Sequence, residues 1–253
     1  MKLSAIIIAK DAEEHIADAI NSVSFADETI VIDNGSIDRT LNVVSKMGAK
    51  SFSYRAKGFA DARNFGLQKA KGEWVFYIDS DERVTDVLQK EIESAIKNKE
   101  SDIVAFKVKR KNYYYGNHQW PYIEKLERLF RKKNLEEWYG DLHESPKIKG
   151  SVGLLDGFLL HYTRQNLESM VEKTIAWSKV EAELRFRANH PKMAWWRFFR
   201  VMLTAFYDSY IKQGGWKAGI MGLIESIYQS FSMFITYSRL WEFQNKQNGE
   251  EKN

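Results

Sequence analysis

Two aspartates separated by one serine, Asp79-Ser80-Asp81, close the apolar run Trp74-Val75-Phe76-Tyr77-Ile78. A run this apolar reads as a strand covered on both faces, and on extended backbone residues i and i+2 point the same way. Both carboxylates are therefore expected to face one ligand. Like charges so close repel unless a cation or a hydrogen-bonding ligand compensates them. A divalent ion bridging a diphosphate is such a cation. The plainer alternative is a polar turn that caps the following helix.

The elements around the triplet predict where it sits. Strands are expected at residues 3–9, 28–32, 50–54, 72–79 and 102–109, with helices at 12–23, 38–47, 59–70 and 85–97 between them. This alternation with short loops predicts the α/β class, a mostly parallel, doubly wound sheet flanked by helices. Such sheets bind ligands at the carboxyl ends of their strands. Lys10-Asp11, Asp33-Asn34 and the triplet all fall at such ends. Residues 110–162 are mixed, with strand-like pieces at 125–130 and 158–162. From 166 to 243 the periodicity is helical, with helices expected at 193–212 and 218–241 and a break at Gly214-Gly215. The expected division is a catalytic domain at 1–165 and an amphipathic helical region at 166–253.

Composition narrows the function classes. With 253 residues, 44% hydrophobic and 28% charged, the chain belongs with ordered globular proteins. A net charge of +4 is too small to imply a nucleic-acid partner. The absence of cysteine excludes a disulfide scaffold and a thiolate metal site. No cleavage site follows the apolar run at residues 5–9, so no signal peptide is expected. No apolar stretch reaches the ~18 residues of a membrane span.

Four stretches carry a resemblance: Ile6-Ile7-Ile8-Ala9-Lys10, the run from Ile30 through Asp33-Asn34-Gly35-Ser36 to Thr40, Ala62-Arg63-Asn64, and Ile78-Asp79-Ser80-Asp81-Glu82. In this order and spacing they resemble the successive motifs of family 2 glycosyltransferases, inverting enzymes of the GT-A fold, over residues 2–165. Arg128-Leu129-Phe130-Arg131, the run Trp138 to Glu144, and His161-Tyr162 are similar to the lipopolysaccharide inner-core β-1,4-glucosyltransferase subgroup.

The resemblance implies roles. Asp33 would bond the nucleotide base, Ala9 line the same slot and Asp38 support the loop; the alternative for Asp33 is a turn residue of Asp-Asn-Gly. Arg63 would lie near the nucleotide, unless it is a solvated helix arginine. Asp79 would meet the ribose or the metal, and Asp81 would be the main ligand of Mn2+ or Mg2+. His161 would complete that metal site, a hydrogen-bonded core histidine being the alternative. Inverting transfer needs a base for the acceptor hydroxyl, for which Glu144 is the first candidate and Asp141 the second. The wider family has a Glu-Asp type motif where this chain reads Leu142-His143-Glu144. His143 would orient Glu144 or touch the acceptor, and Arg128 would contact pyrophosphate or acceptor. The spacing of Arg128 and Arg131 suits a turn or helix better than a strand. The basic run at 107–111 followed by Tyr113-Tyr114-Tyr115 has a pattern found in nucleic-acid binding. No nucleic-acid motif accompanies it, and a loop shaping the acceptor pocket is expected instead.

Between Arg185 and Lys217 seven Lys or Arg face a single acid, Asp208, and Trp195, Trp196 and Trp216 lie among them. That composition predicts an interfacial membrane anchor, with burial against the catalytic domain or a homodimer partner as the competitor. The expected activity is metal-dependent, inverting transfer of a hexose, glucose from UDP-glucose, to a lipid-linked or lipopolysaccharide-core saccharide. The expected location is cytoplasmic, peripheral on the inner face of the membrane. A polyprenyl-phosphate glycosyltransferase is the alternative, and a non-catalytic membrane-binding scaffold a more distant one.

Overall fold

The computed structural model describes residues 2–98, 100–140, 144–163 and 166–250. The chain forms two compact units, Met1–Lys111 with Ile123–Tyr162, and Asn112–Tyr122 with Thr163–Asn253.

In the first unit β1 (Leu3–Ala9), β2 (Glu28–Asp33), β3 (Lys50–Ser53) and β4 (Trp74–Asp79) run parallel in the order β3-β2-β1-β4. The helices α1 (Ile16–Ser22), α2 (Thr40–Lys46) and α3 (Phe59–Lys69) connect them. β1 is buried at every position, as its Ile-rich run requires of a strand covered on both faces. Its Ile7 joins the cluster containing α1 residues, and Ile6 and Ile8 join the opposite cluster with Ala62 of α3. A Cβ on Gly66 of α3 would stand 2.6 Å from the Ile6 side chain, so glycine is what lets this helix lie so close to the sheet.

Beyond β4 the sheet changes direction. β7 (His118–Arg131) pairs antiparallel with β4, followed across the sheet by β6 (Ile103–Tyr114), β10 (Ser151–Tyr162) and the short β5 (Glu82–Val84), antiparallel to β10. A separate antiparallel pair joins β8 (Leu135–Tyr139) to β9 (Ser145–Ile148). α4 (Asp86–Lys97) packs on β10. Thr85 caps α4 and exchanges hydrogen bonds with the backbone of Phe158. The mostly parallel mixed sheet flanked by helices is the α/β class that the sequence predicts.

Local expectations change in three places. α1 is regular only from Ile16 rather than residue 12. It is preceded by a turn in which the Ala12 carbonyl accepts from the amides of His15 (3.0 Å) and Ile16 (2.9 Å), while the amides of Ala12 and Glu13 are capped by Thr40 Oγ1 (2.7 Å) and Asp38 Oδ2 (3.0 Å). Residues 107–114 belong to β6 rather than to a loop. Arg128 and Arg131 lie on β7, where Leu129 and Phe130 between them are registered against Phe76 and Val75. Cross-strand pairing there outweighs the three-residue spacing.

The second unit contains α5 (Leu167–Arg187), α6 (Trp195–Tyr207) and α7 (Gly219–Glu250), with α5 and α6 packed on α7. α6 runs on as a π-helical turn over Asp208–Lys212. Gly214 then takes a left-handed conformation, φ 79°, and the chain passes through a 3-10 turn at Gly215–Ala218 into α7. The break at Gly214-Gly215 is where the sequence predicts it. Among the described residues no helix is long and apolar enough to cross a membrane.

Candidate active site

The carboxyl ends of β1, β2 and β4 lie side by side. Ala9 is registered against Asp33, and Ile8 against Asp79. Asp33 is buried, and its carboxylate accepts from the amides of Gly35 and Ser36 at 3.3 Å, so it holds the turn after β2. Asp38 accepts from the amides of Glu13 (3.0 Å) and Thr40 (2.9 Å), tying the loop after β2 to the loop after β1. Ala9 is buried at the end of β1.

Asp79 is held from two sides. Arg63 Nη2 donates to its Oδ1 at 2.9 Å, and Arg128 Nη2 donates to its Oδ2 at 2.9 Å. Burial alone would favour the neutral acid, but Arg128 and Arg63 outweigh it and hold the carboxyl well below the usual carboxylate range. Arg128 shows the reverse balance: burial opposes its charge, and Asp79 and Glu82 raise its pKa above the ordinary arginine value.

Arg63 is 2% exposed, inside the fold rather than on a solvated helix face. Its guanidinium lies 4.9 Å from the Trp138 ring centroid and 5.7 Å from that of Tyr77. The same Nη2 that bonds Asp79 lies 3.1 Å from Glu144 Oε1, and Nε donates to that oxygen at 3.2 Å. Glu144 is thereby brought to the triplet, while Arg63 Nη1 and Arg128 Nε are buried without a hydrogen-bond partner among the described residues. Asp141 and His143 lie outside the described residues.

Asp81 meets His161 through strand pairing. His161 of β10 is registered against Glu82 of β5, and the Tyr162 amide donates to the Asp81 carbonyl at 2.9 Å. His161 Nε2 stands 3.3 Å from Asp81 Oδ2, both side chains partly exposed. A carboxylate and an imidazole at this separation suit Mn2+; Mg2+ prefers an all-oxygen set. Among the described residues there is no group of three or more His, Asp or Glu that could hold a metal.

Beneath the triplet Arg128, expected at the pyrophosphate or acceptor, instead bonds protein carboxylates, and Glu82 and Arg110 are groups to which sequence reasoning assigned no role. Glu82 is wholly buried and accepts from the Asp79 amide (3.0 Å), Arg128 Nη2 (2.9 Å) and Arg110 Nη1 (2.8 Å). Arg110 Nε bonds Glu124 at 2.7 Å. Two arginines within strands, Arg110 and Arg128, each near apolar neighbours, are the signal that could have revealed this chain of alternating charge. Asn64 exchanges two hydrogen bonds of 2.8 Å with the Trp138 backbone, fixing β8, and the indole next to Arg63, against α3.

At the parallel strand ends the fold gathers Asp33, Asp79 and Asp81, with the His161 imidazole beside Asp81. The chain belongs to glycosyl transferase family 2: the family model matches residues 4–150, and the chain is a glycosyltransferase. It is 29% identical over 259 residues to an uncharacterized glycosyltransferase of Rickettsia typhi, covering 97% of this chain and 88% of the relative. It is 25% identical over 255 residues to the lipopolysaccharide core biosynthesis glycosyltransferase LpsC of Rhizobium meliloti, covering 96% and 93%. Among solved structures it is similar to glucosyl-3-phosphoglycerate synthase of Mycobacterium tuberculosis in complex with Mn2+, UDP and phosphoglyceric acid. That match has a TM-score of 0.51 and 19% identity, covering 76% of this chain and 80% of that one. The shared fold is GT-A.

Proposed function

We propose that this glycosyltransferase moves a hexose, glucose from UDP-glucose, with inversion onto a hydroxyl of a lipopolysaccharide-core or lipid-linked saccharide. The observation that carries the reading is Arg63, one nitrogen of which bonds both Asp79 and Glu144. A relative of nearly full length named for lipopolysaccharide core biosynthesis supports the acceptor class. The mycobacterial synthase, whose complex holds Mn2+ and UDP, supports the donor class.

In this reading residues 1–165 are the catalytic part and 166–253 attach it at the cytoplasmic face of the membrane. Asp33 and Ala9 receive the base, Asp79 the ribose. Asp81 and His161 hold Mn2+ or Mg2+, which when bound supplies positive charge opposite the diphosphate. Arg63, whose Nη1 has no hydrogen-bond partner among the described residues, turns from Glu144 to the diphosphate as the donor enters. Glu144 is then free to accept the proton of the acceptor hydroxyl. The acceptor oxygen bonds C1 on the face opposite UDP, the C1–O bond to the phosphate breaks, and its electron pair leaves with UDP. Arg63 stabilises that leaving charge. Asp141 is the second candidate for the base, and His143 and Arg128 are assigned to the acceptor or pyrophosphate side.

The test is a turnover screen of nucleotide sugars with Mn2+ or Mg2+ and a lipopolysaccharide-core acceptor. Transfer from UDP-glucose with inverted anomeric configuration is expected. No turnover of any donor by correctly folded protein overturns the reading.

A further inference from the structure

The second unit buries an apolar cluster of Ala182, Met193, Tyr237 and Leu240, and beside it polar contacts between its helices. Small polar side chains lie where its helices meet: Thr174 Oγ1 is 2.5 Å from Tyr228 Oη, Ser209 Oγ is 3.0 Å from Ser226 Oγ, and Ser230 Oγ donates to the Met202 carbonyl at 2.9 Å. Glu225 and Thr236, part of the polar stripe of α7, are buried rather than solvated. A Cβ on Gly222 would fall 1.8 Å from the Gly215 carbonyl oxygen, so the backbones approach as closely as glycine permits.

Two rows of large apolar residues are exposed instead. On α6 and its π-helical turn Trp195, Phe199, Leu203, Tyr207 and Ile211 recur every fourth residue and all are exposed, Trp195 at 76% and Leu203 at 69%. On α7 Ile220, Ile224, Ile227, Phe231 and Phe234 form a second exposed stripe. Water does not favour contiguous apolar surface of this kind. Small residues at helix contacts with large apolar ones outside are the arrangement of helices in lipid. Since no described helix is long and apolar enough to cross a bilayer, lipid would be met from the surface.

Charge decides between a bilayer and a second copy of the chain. α6 carries Arg197 and Arg200 and no carboxylate. Lys212 follows, pairing the nearby Asp208 at 2.7 Å, and Lys217 lies beyond it. A twofold contact through this face would set the same cations against themselves, with Asp208, already paired to Lys212, the one acid of the stretch from α6 to Lys217. Anionic headgroups complement them. Arg197 and Arg200 lie over the Trp196 ring and Lys217 over the Trp216 ring, a combination of indole and cation suited to headgroup depth.

We infer that the exposed face of α6, continued through Trp216, docks on an anionic lipid surface, lying in the interface without spanning it. This inference rests on the membrane attachment proposed above and deepens it, naming the face and the lipid charge; it does not depend on the glycosyl transfer, which the flotation does not read. The experiment is flotation of the full-length protein with vesicles of phosphatidylcholine alone, or of phosphatidylcholine and phosphatidylglycerol at about 3:1. Binding to the anionic vesicles, weakened by salt, is expected. Arg200→Ala should lower the affinity about fivefold, the effect of one cation near the surface, and Leu203→Glu more than about thirtyfold. Trp195→Ser serves as a second variant, and unchanged circular dichroism and thermal melting show that each variant is folded. No flotation of wild type with either vesicle overturns the inference. So does equal flotation of wild type and Leu203→Glu. A vesicle-free dimer abolished by Leu203→Glu, seen by light scattering, would assign the face to a second copy and overturn it as well.

Discussion

His161 Nε2 lies 3.3 Å from Asp81 Oδ2, an approach created by the antiparallel pairing of β10 with β5. The carboxylate comes from the turn after a parallel strand and the imidazole from β10, the last strand along the chain. Beside them Asp79 is occupied by two arginines, which leaves Asp81 as the carboxylate of the triplet better able to take a cation.

Loss of either partner is therefore expected to impair metal binding. Asp81→Ala and His161→Ala should each lower the affinity for Mn2+ in the presence of UDP by more than about a hundredfold, beyond what loss of an outer-shell group costs. Calorimetry on folded variants reads this directly. Unchanged Mn2+-dependent UDP binding in both would remove the pair from the metal site.

Glu144→Gln separates the acceptor classes. With a sugar hydroxyl as acceptor, kcat should fall by about 10²- to 10⁴-fold while the KM for the donor stays near that of wild type. A phosphate acceptor needs no strong base, so a loss under about threefold would favour polyprenyl-phosphate transfer.

Glu82 supports the site from beneath. Glu82→Ala leaves Arg128 and Arg110 each short of one buried carboxylate, and breaking such a network costs about 3–5 kcal/mol. Glu82→Gln keeps an acceptor for the Asp79 amide and should cost less. Urea unfolding of both variants tests this; an alanine variant as stable as wild type would contradict it.

The depressed pKa of Asp79 sets the sign of a pH effect. The carboxyl is held below its unfolded value of about 3.9, so its stabilisation is complete above that pH and is lost as pH falls through the lower, folded value. Asp79→Asn should melt below wild type at neutral pH, with the gap constant from about pH 8 to 5 and closing only in stronger acid. A gap that narrowed between pH 7 and 6 would assign the linkage to another group.

Most of the parallel half of the sheet was legible because β1, β2 and β4 carry apolar runs that end in polar residues, as Ile6-Ile7-Ile8 and Val75-Phe76-Tyr77-Ile78 illustrate, whereas β3 is the polar Lys50-Ser51-Phe52-Ser53. The antiparallel half was legible in part: the strand pieces expected at 102–109, 125–130 and 158–162 lie on β6, β7 and β10, but each strand extends well past its apolar stretch. Asp79, Asp81 and Asp33 announced themselves by position at strand ends. Glu82 did not, because its partners Arg110 and Arg128 are distant in sequence and only the fold brings them to it. In the second unit the periodicity located the helices, yet which stripe faced inward depended on contacts between helices that no single helix encodes.

The pairing of β10 with β5 also bears on synthesis. The strands that end in Asp33 and Asp79 are complete early in the chain, but His161 and the amide that bonds the Asp81 carbonyl come only with the last residues of β10. A fragment ending at residue 150 is expected to retain the parallel strands and to bind no metal–nucleotide complex. On the ribosome the enzyme would then stay inert until Tyr162 has emerged, so that competence is the last property this domain acquires.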